Sequence, residues 1–360
     1  VLKKMAACDK IYFEERKMEK FDFTFLTTQQ VFGDWAGFGQ LTVFSNYGTM
    51  AAVTDAATIL GAYGPTKPKQ RTLKGEEKVS GWWLSSATEN NNVCCVSHIG
   101  EKREGAPCRR GAAARPAARF SSIENLPNVT RGADGILRCR MGSYPQTIAS
   151  RSVTQELEAN KQFLKPTGRK FTFDTKDYWS RDPFSLRSVP EYEYKGKRYV
   201  RLGCKCLDDQ VLSNGQVTEL DRACWLEVEP IEWLVDEASH MIISERLLYA
   251  GIQFDPKRTY DGNFEKTFAK KYLDEYFAKE IGYETDLKAK EEKTEEKALS
   301  LDEQYEIEYN KIMTEFRALK AKGPITRAVA DEYKKKIQDA IDAVYGKATN
   351  NKNDGLTLNK

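Results

Sequence analysis

Ser80-Gly81-Trp82-Trp83-Leu84-Ser85-Ser86 and, later in the chain, Arg115-Pro116-Ala117 frame the stretch whose reading decides the fold. Two adjacent tryptophans on an extended strand point to opposite faces, so one belongs to a core and the other lines something. Val93 to Ile99 is strand-like, and Gly100 and Gly105 punctuate the residues after it. The composition between the two ends is unlike that of a packed strand. Asn90, Asn91, Asn92, Cys94, Cys95, Ser97, His98, Cys108, Arg109 and Arg110 follow no hydrophobic period. Between Ser85 and Arg119, lysines and acids are limited to Glu89, Glu101, Lys102 and Glu104.

Upstream of this stretch, the alternation Phe21, Phe23, Phe25 predicts a strand with one buried aromatic face, and Thr27 or Thr28 is placed to cap a short helix. Ala52, Ala56, Ile59, Leu60 and Tyr63 recur at helical spacing up to Gly64-Pro65, and the lysine-rich stretch Thr66 to Val79 reads as an exposed loop. Downstream, Gly135 to Arg140 predicts a strand leading into Gly142-Ser143-Tyr144-Pro145-Gln146. Tyr192 to Arg201 predicts a hairpin that bends at Gly196. Trp225 to Val235 alternates apolar and acidic residues and is expected to break at Pro230. Met241-Ile242-Ile243 gives another strand, and Phe264 to Ile281 a helix.

Beyond Tyr283 the composition changes, and Lys288 to Lys297 is almost entirely charged. Leu301, Tyr305, Tyr309, Ile312, Phe316 and Leu319 then lie at helical spacing. After Gly323-Pro324, so do Val329, Tyr333, Ile337, Ile341 and Val344. This is an αα-hairpin with one apolar stripe per helix, and the tail from Gly346 reads as disordered.

The chain has 360 residues, 17 phenylalanines and 17 tyrosines, which is enough to fill real cores. Its formal charge of +3 gives no electrostatic ground for nucleic-acid binding. Apolar runs such as Met50 to Ala62 are far short of the roughly 20 residues a membrane span needs. The first residues lack the apolar core of a secretory signal, so a cytoplasmic protein, or one carried on a virion surface, is expected. Eight cysteines are too dilute for a disulfide scaffold.

Catalytic patterns are missing. His98 and His240 are the only histidines, and neither stands in a triad motif. Neither a phosphate-binding loop nor a dinucleotide fingerprint occurs. Cys94, Cys95, His98 and Cys108 are zinc-ligand types, but adjacent cysteines on a strand diverge and no Cys-x-x-Cys pair is present. Cys204, Cys206 and Cys224 read as packing thiols, and Glu227 and Glu229 as a solvent face. No enzyme, metal or cofactor is expected.

Trp82-Trp83 followed by Gly111 and Arg115-Pro116-Ala117 resembles the Trp-Trp … Gly-x-Arg-Pro-Ala pattern of bacterial and phage C-type-lectin-like domains. Phe21 to Ile123 is similar to the variable proteins of diversity-generating retroelements of gut bacteria and their phages. The supporting residues are Phe23-Thr24-Phe25-Leu26, Gln30-Val31-Phe32-Gly33, Tyr47-Gly48-Thr49, Ala51 to Asp55 and Phe120 to Ile123. The middle third resembles the companion module of the same proteins through Gly142 to Gln146, Tyr192-Glu193-Tyr194, Val228 to Trp233, Gly262-Asn263-Phe264 and Lys270 to Leu273.

The resemblance implies an α+β chain. A lectin-like ligand-display domain is expected over residues 1–130 and a β-rich companion over 131–283, followed by a charged linker and hairpin over 284–346 and a tail over 347–360. It also implies a surface rewritten by reverse transcription at template adenines, where Lys, Glu, Gln, Met and Trp cannot arise. On that rule Glu101, Lys102 and Glu104 are fixed points. The expected ligand-binding residues are Ser86, Thr88, Asn90, Asn91, Asn92, Cys94, Ser97, His98, Arg103, Cys108, Arg109 and Arg110. The partner would be a protein or surface ligand, with homo-oligomers or a larger assembly forming through the C-terminal helices. The alternative is a structural protein that docks to a phage particle or an ATPase through those helices.

Overall fold

A computed structural model of the chain describes residues 20–34, 39–62, 78–108, 112–174, 185–206, 209–284, 286, 301–321 and 326–353. The chain is mixed α+β and separates into two compact units, residues 1–288 and 289–360.

In the first unit the aromatic alternation at Phe21, Phe23 and Phe25 is buried as expected, around the short strand β1 (Phe23–Thr24). Thr27 caps α1 (Thr28–Phe32). Its hydroxyl accepts from the Gln30 amide while the Gln30 side chain accepts from the Thr27 amide, so two otherwise orphaned donors are satisfied reciprocally. Two further short helices come next, α2 (Thr42–Tyr47) and α3 (Asp55–Ile59), the second capped by Thr54. The expected helix end at Tyr63 and the loop beyond it lie outside the described residues, apart from Lys78 and Val79.

Among the described residues, nine strands join into one antiparallel sheet. Its hub is the strand Ala223–Asp236. One edge of this strand carries Leu137–Ile148, and the other carries Lys197–Gly203 and then Met241–Ser244 in succession. In chain order the remaining strands are numbered β2 (Trp82–Ala87), β3 (Val93–Val96), β4 (Lys102–Gly105), β5 (Ala117–Arg119), β6 (Thr130–Arg131), β7 (Leu137–Ile148), β8 (Pro166–Asp174), β9 (Leu186–Tyr194), β10 (Lys197–Gly203), β11 (Ala223–Asp236) and β12 (Met241–Ser244). Strands β2, β3 and β4 form a separate three-stranded sheet. The hairpin β9–β10 turns at Lys195-Gly196 as the sequence suggests. Strand β11 does not break at Pro230. The register shifts by a bulge there instead, which lets a residue without an amide proton sit inside a paired strand.

The expected boundary between 130 and 131 is not a break between compact units. Strand β5, from the first segment, lies between β1 and β12, and one hydrophobic cluster runs from Phe21 to Tyr283. The segment after Phe264 is helical as expected, through α5 (Phe268–Tyr272), a π-helical turn at Leu273–Phe277 and a last turn at Ala278–Glu280.

Helix α4 (Arg151–Asn160) packs Leu157 under a small second cluster with Trp225 and Tyr199. The second unit is the predicted hairpin of α6 (Leu301–Lys320) and α7 (Arg327–Asn353), whose helices meet through Phe316 and Tyr333 with ring centroids 5.1 Å apart. The helix α7 continues through Gly346 to Asn353, so the tail expected to be disordered from 347 starts as helix. Among the described residues, no helix is long and apolar enough to cross a membrane.

Helix α2 has no cap of its own, because the residue before it is Leu41. Buried Asp236, at the end of β11, takes over. It accepts from Thr42 Oγ1 at 2.6 Å, the Val43 amide at 2.9 Å and the Ser239 amide and hydroxyl at 3.0 and 2.7 Å. Burial pushes this carboxyl up, but the hydrogen bonds outweigh it and hold the group below its ordinary value of 3.8. A depressed folded-state pKa contributes stability that is present above the unfolded value and lost as pH falls through the folded one. Asp236→Asn is therefore expected to cost about 1.5–3 kcal/mol at neutral pH. Urea titrations at descending pH should show the gap to wild type closing below about pH 4, and a gap that stays constant into acid would contradict this.

Candidate ligand-binding surface

The ends of the segment from Trp82 to Phe120 meet in space. Arg115 is fully buried, and its guanidinium carbon sits 5.0 Å from the Trp82 ring centroid and 5.4 Å from that of Phe44. Its Nε donates to the Ser244 carbonyl at 3.0 Å, on the last residue of β12. Phe44 and Trp82 stack with their planes 25° apart, and the Trp82 indole donates to the Thr49 carbonyl. Desolvated cation–π contacts of this kind are worth up to about 2 kcal/mol each. They offset the cost of taking a guanidinium out of water.

Both tryptophans are core residues, Trp82 at 0% and Trp83 at 4% exposed. Trp83 lies against Phe254 with centroids 5.7 Å apart. The expectation that one tryptophan belongs to the core and the other lines something is therefore corrected. The chain from Gly251 to Gly262 folds over the second face, so the pair is gripped from both sides.

Strands β2, β3 and β4 carry the segment outward through two turns. In the first, the Thr88 amide donates to the Asn92 carbonyl, Thr88 Oγ1 accepts from the Asn92 amide, and Asn91 takes a left-handed φ of 54°. Asparagine tolerates that conformation better than most residues. In the second, Ser97 Oγ accepts from the Glu101 amide and Gly100 has φ +81°, where a β-carbon would lie 2.6 Å from Thr49 Oγ1.

Beyond its own strand ladder, the backbone of the segment is tied down by groups outside it. The Ser85 amide donates to the Leu26 carbonyl, and Tyr260 Oη donates to the Ser85 carbonyl at 2.6 Å. The Tyr260 amide donates to the Asn91 carbonyl, the Asp255 amide to the Pro107 carbonyl, and Gln253 Nε2 to the Cys108 carbonyl. Burial, with Asp261 nearby, raises the pKa of the Tyr260 hydroxyl and keeps it a donor. These bonds address main-chain atoms, so they leave most side chains of the segment free to change.

The expected binding residues divide accordingly. Asn90, Asn91 and Arg103 are exposed, and Asn92, His98 and Cys108 half-buried. Thr88 and Ser97 use their hydroxyls to close turns, and Ser86 Oγ accepts from the Thr28 amide, so all three also have structural roles. Cys94 is 2% exposed with its thiol toward the Ala87 carbonyl; it faces the interior, and its inclusion as a surface residue is corrected. Arg109 and Arg110 lie outside the described residues. The first turn and the His98 turn sit at opposite ends of β3, so they do not form one continuous loop cluster.

On β4, Lys102, Arg103 and Glu104 are all exposed, and Arg103 pairs with Glu101 at 2.7 Å. An exposed pair of this kind adds little stability, but charges on an edge strand discourage stray pairing with other chains. Cys95 stands between Trp83 and Arg103 across the sheet, and burial, with Cys94 beside it, pushes its thiol up to about 11. It is a protonated thiol at neutral pH, unsuited to metal or nucleophilic work. Among the described residues no group of acids, histidines and cysteines could hold a metal, and no cysteine forms a disulfide. Glu227 pairs with Lys197 and Glu229 accepts from Thr147, as sheet-surface residues do.

Sequence reasoning missed a groove of about 330 Å³ beside the first turn, where Asn91 faces Asp255, Lys257, Tyr260, Asp261 and Asn263. These residues come from far along the chain, and only the Gly262-Asn263 pair gave a signal. No family model, curated protein or solved structure matches this chain.

Arg115→Ala should lower the unfolding free energy by about 3 kcal/mol, because it breaks a buried network and leaves a cavity against the two stacked rings. Arg115→Lys should not restore it, since an ammonium cannot stack in plane as guanidinium does. Asn90→Ala should stay within about 0.5 kcal/mol. Urea unfolding of the three variants measures this, and equal losses at 90 and 115 would refute it.

Proposed function

We propose that this protein is a ligand-recognition protein and not an enzyme: a variable protein of a diversity-generating retroelement, displaying a rewritable surface on a C-type-lectin-like scaffold. The observation that carries the reading is the division of labour in Trp82 to Phe120. Its two ends are locked by the Arg115 stack and its main chain is held by Leu26, Gln253, Asp255 and Tyr260, while the side chains of Asn90, Asn91 and Arg103 reach solvent. A rigid frame with substitutable side chains binds without a large ordering cost, as matured antibody paratopes do.

The recognition residues in this reading are Asn90, Asn91, Asn92, His98, Arg103 and Cys108, joined by Arg109 and Arg110 from the sequence. The ligand is a protein or cell-surface group, and Arg103, Arg109 and Arg110 bias the present surface toward acidic ones. The fixed groove at Asp255 to Asn263 borders the variable turn and supplies contacts that do not change between copies.

A near-identical template copy of the segment's coding sequence should lie beside a reverse-transcriptase gene. Sequencing that locus tests the proposal. Differences confined to adenines, falling at codons such as those of Asn90 and Asn92 and sparing Trp82, Trp83, Glu101, Lys102, Glu104 and Arg115, are expected. Differences scattered equally over Glu101, Lys102 and Glu104 would sink it.

A further inference from the structure

We propose that a second copy of this chain covers the open stripe of the C-terminal hairpin, giving a four-helix bundle in which each α6 is flanked by two α7 helices. At 20 and 27 residues the helices span about 30 and 40 Å, long enough for a standard interface. Yet none of the hairpin's described side chains is buried. Tyr305, Tyr309, Ile312, Met313 and Phe316 on α6 and Val329, Tyr333, Ile337 and Ile341 on α7 are only half-buried, and Leu319 on the same stripe is 40% exposed. Two helices alone cannot close a core around these residues.

The charge pattern names the occupant. Helix α6 carries five carboxylates against three cations and α7 six cations against four carboxylates, so the first is net acidic and the second net basic. The first half of α6 holds Asp302, Glu303, Glu306 and Glu308 with no cation before Lys311, and α7 holds Lys334-Lys335-Lys336. The two helices are therefore oppositely charged, and a second copy of the hairpin complements the first. A two-fold axis along the bundle sets α6 diagonally across from its copy, with a basic α7 on each side. Every adjacent helix pair is then antiparallel and oppositely charged, the arrangement of stable up-and-down bundles. If the display reading also holds, each assembly carries two copies of one surface, and weak single contacts gain avidity without new bonds.

Sedimentation equilibrium of the full chain at micromolar concentration tests this, with circular dichroism to check helix content. The wild type should have twice the monomer's 41.0 kDa. Leu319→Glu should weaken association at least about tenfold, the equivalent of one buried leucine side chain. Ile307→Glu, on the far side of α6 at 55% exposure, should leave it unchanged. The set Lys334, Lys335 and Lys336→Glu, and separately Glu303, Glu306 and Glu308→Lys, should each be monomeric alone and should recover the doubled mass when mixed in equal amounts. Recovery on mixing demands contact between copies and separates lost complementarity from a hairpin that failed to fold. A monomeric wild type, a trimer, a dimer indifferent to Leu319→Glu, or equal weakening by Ile307→Glu would overturn the proposal. None of these outcomes bears on the display reading, which the template sequence tests separately.

Discussion

Burying a guanidinium is expensive, and a chain that buries one commits the surrounding structure to it. Arg115 lies against both Phe44 and Trp82, which stack on each other, and donates to the carbonyl of Ser244, so four stretches distant in sequence must arrive together. Phe44 is in place because Asp236 caps the helix that carries it. Trp82 opens the small three-stranded sheet, and Ser244 ends the strand beside which Ala117–Arg119 enters the large sheet. The same contact that closes the core therefore fixes where the exposed segment begins and ends. The exposed side chains of the turns rest on that inward rigidity, because a turn tolerates changed side chains only if its roots do not move.

Much of this was legible in the sequence. The aromatic alternation at Phe21, Phe23 and Phe25, the cap at Thr27, the hairpin at Gly196 and the two C-terminal stripes were local patterns, and local patterns survive folding when packing agrees with them. The ends of the segment from Trp82 to Phe120 were legible too, as Trp82-Trp83 and Arg115-Pro116-Ala117. What stayed hidden was non-local. The apparent boundary near 130 vanished because β5 pairs with β12, more than a hundred residues away. Pro230 reads as a strand break, yet bulges let β11 pass through it.

The candidate site shows the same split. Exposure at Asn90, Asn91 and Arg103 follows from polar residues in turns and on an edge strand. Cys94 was misjudged because one thiol in a stretch without hydrophobic period carries no directional signal, and the strand turned it inward. Apart from Asn263, the groove residues from Asp255 onward carried no motif, since only the fold over Trp83 brings them to Asn91. Ser86, Thr88 and Ser97 are double-purpose: their hydroxyls face the surface region and also satisfy backbone donors, so changes there should be tolerated less freely than at Asn90.

The central claim is that the segment's frame is independent of its exposed side chains. The most direct measurement is a library in which Asn90, Asn92, His98, Arg103 and Cys108 are randomised together and each clone is scored for protease resistance. A second library does the same at Trp82, Trp83, Gly100, Arg115 and Tyr260. Most clones of the first are expected to resist proteolysis like the parent, and almost none of the second. Comparable losses in both libraries would contradict it.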